Sequence, residues 1–421
     1  MNNSQVFLDA AEKIGINLCK SAYWHDHRCN WIGKAVRQIT PTMNTIYNKS
    51  LACDIYDGTS GIALFFLNLY RYTDKNHYRE AAQGAINQAL SKANELPDIC
   101  RYSFFTGKLG IAYASAKIGY DLHDDRLIQN GIRLLKELQD NFENEHLMDV
   151  ISGNAGGIPA LIGLYEVFRD EKMLDLAILL GDELIRTATR ESSGLSWDYR
   201  VNGMKSSSHN LTGFSHGAAG IGHSLLELYR VTEELRFLES AEGAFSYENR
   251  WFNEQICNWP DFRSEENDHR NKSAFTYAIS WCHGAPGIGL SRMRAYEITK
   301  DPKYLLDSQA SLKTSTLALE ERINANKFFD FSLCHGLSGL CETLLFANRV
   351  FKDGTYNSLA EKVGLYGIKQ HEENGSIWRC GINKGGETPT LMLGLAGIGY
   401  FYLQLIDSLK ILNPLMLLGN E

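Results

Sequence analysis

Two matching triplets, Cys282-His283-Gly284 and Cys334-His335-Gly336, stand in the chain, and a third histidine precedes the same glycine in Ser215-His216-Gly217. Zinc takes thiolate sulfur and imidazole nitrogen as ligands, and its catalytic sites use three protein ligands with a fourth position open. Cys282 and Cys334 with one of the histidines that follow them meet that count, and spacing alone does not choose between His283 and His335. An acid occupies the equivalent turn in Asp149-Val150-Ile151-Ser152-Gly153. Histidine is the side chain whose ordinary pKa suits proton transfer near neutral pH, which makes His216 the general acid/base candidate. As purely structural residues these would be buried thiols, satisfied core histidines and, for Asp149, a helix cap. Two Cys-His-Gly triplets in matching positions favour a metal over that reading.

The elements that must position these residues recur. A Gly-x-x-Gly followed by an apolar, helix-like stretch begins at Gly58, Gly107, Gly153, Gly217, Gly284, Gly336 and Gly394, as in DGTSGIALFFLNLY and LGLAGIGYFYLQLI. Self-similarity at this spacing marks a repeat architecture. Between the copies lie amphipathic patterns such as HYREAAQGAINQALSKANEL (77–96) and EKMLDLAILLGDELIRTATR (171–190), with apolar residues at three and four and charges opposite. Segments that are apolar all round belong inside, and amphipathic ones face water. The expectation is therefore an all-α fold, an α/α toroid of seven helical hairpins with an inner and an outer ring. Glycines with φ > 0 and close backbone approach would open each inner helix. All seven N-termini would then share one electropositive rim, with His216, Asp149 and the two triplets converging there. The chain reads as one domain over 1–421, with 1–50 as a helical lead-in.

The net charge of −8 argues against a nucleic-acid surface. The N-terminus MNNSQVFLDAAEKIGINLCK lacks a signal pattern, and no apolar run approaches a membrane span, so a cytoplasmic protein is expected. Nine cysteines, an odd number without framework spacing, do not suggest a disulfide scaffold.

From DGTSGIALFF to TPTLMLGLAGIGY the chain resembles the bacterial lanthionine cyclases, and most specifically in GFSHGAAGIGHSL, SWCHGAPGIGLSR and SLCHGLSG. The second of these is most similar to the cyclase half of bifunctional lanthipeptide synthetases. The resemblance implies zinc held by Cys282, Cys334 and His335, with His216 and Asp149 as the acid/base pair. It implies addition of a peptide cysteine to dehydroalanine or dehydrobutyrine, with a dehydrated precursor peptide as partner and a separate dehydratase as its supplier. A metal-bound thiolate would attack the β-carbon, and His216, oriented by Asp149, would protonate the α-carbon. His283 is a second acid candidate.

Two departures stand out. Many relatives carry Arg where this chain has Ala278, and Arg379 is the substitute expected here. The early repeats also leave no room for a small inserted domain found in some relatives, so leader-peptide recognition through it is not expected. Asp54 and Asp57 read as caps. The polar loops 190–212 and 251–274 either overhang the rim or are surface padding. Two other readings stay open: a related protein that adds glutathione to dehydrated residues, and a metal-free toroidal glycosidase, which needs two carboxylates across a cleft.

Overall fold

The computed structural model describes residues 3–40, 43–142, 146–201, 204–205, 209–263, 275–325, 327–382 and 386–417. Seven helices begin at the recurrent glycines: α2 (Thr59–Thr73), α4 (Lys108–Leu122), α6 (Asn154–Phe168), α8 (Ala218–Thr232), α10 (Ala285–Thr299), α12 (Leu337–Phe351) and α14 (Leu395–Asp407). Each packs on the next, and α14 returns to α2, so the ring closes into an α/α toroid. Six outer helices follow their inner partners: α3 (Asn76–Lys92), α5 (Asp125–Asp140), α7 (Glu171–Thr187), α9 (Leu235–Asn249), α11 (Lys303–Asn324) and α13 (Gly354–Glu373). The seventh outer position is filled from the other end of the chain. Helix α1 (Ser4–Ser21) packs on α14, with Phe7, Ala10, Ala11, Ile14 and Leu18 buried at helical spacing.

The lead-in expected to be helical is so only to Ser21. Beyond it lie two hairpins, β1 (Tyr23–His25) with β2 (Arg28–Asn30), and β3 (Ile32–Thr40) with β4 (Met43–Ser50). The run Ile32, Lys34, Val36 alternates with Gly33 and Ala35, a period of two that suits a strand rather than a helix. Two further short hairpins, β5 (Thr189–Glu191) with β6 (Gly194–Ser196) and β7 (Arg200–Val201) with β8 (Met204–Lys205), stand in the long connection before α8.

Inner and outer helices divide as their patterns require. On α2 every residue from Thr59 to Leu69 is buried. On α5 only Leu127, Gly131, Leu134, Leu135 and Leu138 are. The recurrent glycines act mainly by close approach. A Cβ on the second glycine of each motif would collide with the carbonyl oxygen six residues earlier, as Gly110 with Phe104 and Gly220 with Phe214. Positive φ, expected at the first glycines generally, occurs among them only at Gly284 (φ 88°); the others are extended. Six left-handed residues sit instead at the far ends of the inner helices, where Asp74, His123, Arg169, Glu233, Lys300 and Lys352 terminate six of them.

Helix α10 carries two arginines in an otherwise enclosed surface. Arg292 meets Glu248 of α9 at 3.0 Å, and Arg294 meets Glu227 of α8 at 2.6 Å, all four side chains being buried. The other oxygen of Glu248 accepts the backbone N–H of Gly213 (2.8 Å) and Ala219 (3.0 Å). That carboxylate therefore clamps both sides of the turn that carries His216. Removing one partner of such a pair would strand a buried charge.

Candidate functional site

The turns before the inner helices are joined around one rim by hydrogen bonds. Ile55 and Tyr56 donate to Phe105 O (3.0 and 2.9 Å), Ser103 Oγ to Ile151 O (2.5 Å), and Val150 and Ile151 to Ser215 O (3.1 and 3.2 Å). Ser215 N donates to Cys282 O (3.2 Å), Cys334 N to Met392 O (3.0 Å), and Met392 N back to Tyr56 O (3.1 Å). Where the fifth and sixth turns meet, the thiols of Cys282 and Cys334 are neighbours, near enough for each to shift the acidity of the other. The circuit explains why equivalent positions converge: each turn holds the next at the same height.

The two sulfurs differ in character. The neighbouring Cys334 thiol, Ser280 Oγ at 3.3 Å and the charges of Arg263 and His335 together pull Cys282 below the ordinary thiol range against its burial. The adjacent Cys282 sulfur and burial push Cys334 the other way, although Tyr56 donates its hydroxyl to that sulfur at 3.1 Å. Of the two sulfurs, Cys282 is therefore the one whose surroundings favour the thiolate.

His335 projects from the same turn as Cys334, with Nε2 3.0 Å from Gly381 O and 3.3 Å from Asp330 Oδ2. The structure thus joins two of the expected ligands directly and leaves His335 beside them, half-exposed; among the described residues no three His, Cys, Asp or Glu side chains form a metal cluster. The donor set nevertheless fits zinc. A ligating histidine usually donates its second ring N–H to a carbonyl or carboxylate, and Gly381 O with Asp330 supplies that partner, leaving Nδ1 for a metal. Of the two histidines left equivalent by spacing, His283 is enclosed: burial first, then the Arg263 charge, holds its pKa down at about 3.

His216 Nδ1 lies 2.9 Å from Asp149 Oδ2. The other carboxylate oxygen accepts Ser152 N at 2.5 Å, so Asp149 both ties its turn and orients the imidazole. Tyr199 lies against the His216 ring with centroids 4.6 Å apart, and the His283 ring follows at 5.8 Å.

Several neighbours went unread in the sequence. Tyr56 lies between the expected caps Asp54 and Asp57, which do bond each other through Asp57 N and Asp54 Oδ1 at 2.9 Å. Both long loops reach the site, through Tyr199 and through Asp261 and Arg263. Asp261 Oδ1 is 3.8 Å from His283 Nδ1 and receives Arg263 Nε at 3.0 Å. The remainder of those loops, 202–203, 206–208 and 264–274, falls outside the described residues. Arg379, the expected substitute for the missing Arg at Ala278, lines the groove that also holds His335, donates to Phe328 O at 3.2 Å and covers the Phe328 ring. The guanidinium whose charge acts on Cys282 is Arg263. Its charge alternation with Asp261 in a polar loop gave no cue to this, because the contact joins separate segments.

Beside His335 opens a groove of about 570 Å³ lined by Phe328, Asp330, Trp378, Arg379 and Gly381, among others. The sulfur pair, the imidazole held by Asp149 and the open groove thus lie on one rim. The family model described as lanthionine synthetase C-like protein matches residues 49–418, and the chain belongs to that family.

Among curated proteins it is similar to a lacticin 481/lactococcin biosynthesis protein of Lactococcus lactis subsp. lactis, 24% identical over 390 residues covering 89% of this chain and 38% of that one. The chain thus spans well under half the length of that relative. It is also similar to a nisin biosynthesis protein from the same organism, 24% identical over 359 residues, 78% of this chain and 81% of the other. Nisin cyclase shares its fold with a TM-score of 0.65 at 20% identity, covering 87% of this chain and 92% of that structure. A family 76 glycoside hydrolase from a bovine Bacteroides thetaiotaomicron strain follows the same ring at a TM-score of 0.50 and 12% identity, covering 95% and 77%. Among the described residues no helix is long and apolar enough to cross a membrane.

Proposed function

We propose that this protein is a zinc-dependent lanthionine cyclase that joins a cysteine of a dehydrated precursor peptide to dehydroalanine or dehydrobutyrine in the same peptide. The observation that carries the reading is the placement of the Cys282–Cys334 pair and the His216–Asp149 pair on adjoining turns, linked through Ser215 N to Cys282 O at 3.2 Å. Cys282, Cys334 and His335 would hold the metal, which when bound supplies a site that keeps an incoming thiol deprotonated.

The chain's own residues account for the proton. Asp149 fixes His216 with Nδ1 protonated, so Nε2 is the atom that exchanges protons with substrate. In the neutral state it accepts the proton released by the substrate thiol. Addition of the sulfur to the β-carbon converts the C=C bond into an enolate, and the imidazolium returns that proton to the α-carbon. One S–H and one C=C become one C–S and one C–H, with nothing left over. The Tyr199 ring covers His216, and His283, kept neutral by burial, adds no competing charge beside it.

The glycoside hydrolase shares only the ring; here the rim carboxylate Asp149 is engaged by an imidazole. The test follows dehydrated precursor peptide by thiol alkylation and mass spectrometry, with glutathione offered in a parallel arm. Loss of alkylatable cysteine at unchanged peptide mass supports cyclisation. Gain of one glutathione on the dehydrated residue would assign the thiol-adding role instead.

A further inference from the structure

The hairpin of β3 and β4 stands on the rim that carries the cysteine pair. At its base Lys49 Nζ meets Asp57 at 3.4 Å, in the turn of Tyr56, and Lys34 donates its backbone N–H to Thr388 Oγ1 at 3.3 Å. Thr388 opens the segment whose Met392 carbonyl receives the Cys334 N–H and whose Leu393 carbonyl receives Gly381 N–H beside His335. The outer side of β3 therefore continues directly into the backbone that frames the sulfur pair and the adjacent groove.

Three properties of the hairpin have no role in the ring. The sheet has two strands only, so its outer backbone groups have no strand partner among the described residues. Lys34 N–H points outward to Thr388, and by the alternation of a strand Val36 N–H faces the same outer edge. Large apolar side chains are left in solvent: Ile32, Val36, Ile39 and Tyr47 are between 44% and 53% exposed. The charge is also of one sign. From Ile32 to Ser50 the sequence contains Lys34, Arg37 and Lys49 and no Asp or Glu, in a chain whose net charge is −8, and of these Lys49 is matched by Asp57 at the base.

We propose that the outer edge of β3 docks an acidic, extended segment of the peptide substrate as a third strand, holding it while another part of the same peptide is cyclised. Strand addition supplies main-chain hydrogen bonds that tolerate sequence variation, and flanking side chains supply the selectivity. On β3, Lys34 and Val36 lie on one face and Arg37 on the other, so an added strand with alternating carboxylate and apolar residues meets both kinds of partner. Opposite charge raises capture rate and sets register. The Thr388 contact ties the base of the edge to the buried segment that frames Cys334, and so sets a docked strand beside the rim that carries the sulfur pair. This inference rests on the cyclase reading for the identity of its partner, and the experiment separates the two.

The test uses the full chain and a fluorescein-labelled ten-residue peptide of alternating Val and Glu, with a Val and Lys peptide as control. Fluorescence anisotropy should show binding of the acidic probe alone, weakened about tenfold by Lys34→Glu with Arg37→Glu. Val36→Pro removes one outward N–H while leaving the hairpin ladder intact, and should weaken the probe to a similar degree. Circular dichroism melting confirms that each variant is folded. In a second arm, a dehydrated cysteine peptide is assayed with and without an appended Val and Glu tail. The tail should lower KM severalfold in the parent protein, and the ratio between tailed and untailed peptides should fall to one in the charge-reversed double variant. Equal binding of both probes, or equal KM for both peptides in the parent, overturns the docking proposal and leaves the cyclase intact. Selective probe binding with no thioether from either peptide supports the edge and refutes the cyclase. Sedimentation showing that the parent dimerises and Val36→Pro does not would give the edge to a second copy of the chain and overturn the proposal.

Discussion

His216 and Asp149 are bonded at 2.9 Å across a gap of 67 residues, and the turns that carry them are themselves fastened by two hydrogen bonds to Ser215 O, from Val150 N and Ile151 N. The pair is therefore set by backbone, not by two free side chains that happen to meet. Its tautomer follows from the same geometry.

Replacing His216 by Ala removes the proton carrier and should lower kcat by about 10² to 10⁴. Asp149→Asn should do less to the fold than to the reaction, because an amide can still tie Ser152 N but no longer fixes the imidazole proton at Nδ1. The checks are a time course of thiol alkylation on dehydrated peptide and metal content by elemental analysis. A fall in metal content equal to the fall in rate would move His216 out of the proton-transfer role.

Metal content tests the sulfur pair. The wild-type chain should carry about one zinc, and Cys282→Ala and Cys334→Ala should each lose it, since two protein ligands seldom retain the ion against a chelator. His335→Ala should lose it as well, because the two sulfurs alone are again only two protein ligands and the bond to Gly381 O that would orient the imidazole is lost with it. Full zinc in Cys282→Ala would break the assignment.

Glu342 lies wholly buried on α12 with both oxygens unbonded, and burial raises its pKa to about 8. Because its folded pKa exceeds the ordinary value of 4.5, the folded state binds the extra proton between those limits. Its contribution to stability is thus complete below pH 4.5 and is lost as pH rises through about 8, by roughly 1.4 kcal/mol per pH unit inside the window. Glu342→Gln should flatten that fall, read as a smaller drop in Tm between pH 5 and pH 9 than the parent shows. An equal drop in both proteins refutes the account.

The close-approach glycines predict a contrast between two alanine substitutions. Gly110→Ala drives a Cβ into the Phe104 carbonyl and should cost about 2 kcal/mol or more in urea unfolding. Gly354→Ala, in the first turn of α13 with nothing within 4 Å of the new carbon, should stabilise by about 0.5–1 kcal/mol. Similar losses at the two positions would show that the glycines serve chain flexibility instead.

Much of the molecule was legible before folding, for a local reason. A helix reveals itself by which residues repeat at three and four, and a ring of equivalent units places equivalent turns on one rim. Hence the toroid, its inner and outer helices, and the common location of Asp149, His216, Cys282 and Cys334 followed from the chain alone. The lead-in was misread past Ser21 because its two-residue alternation is short and interrupted by polar residues.

Ring closure decided the rest. That α1 completes the seventh pair on α14, that Tyr56 donates to Cys334 from 278 residues away, and that the charge of Arg263 acts on Cys282 all depend on which segments meet. Sequence periodicity encodes the face a residue presents and is silent about what arrives from the far end of the chain to occupy it. The unequal characters of the two thiols arise the same way. Each cysteine has Ser two residues before it and His-Gly after it, and the difference comes from what the fold brings up: the charge of Arg263 to Cys282 and the Tyr56 hydroxyl with deeper burial to Cys334.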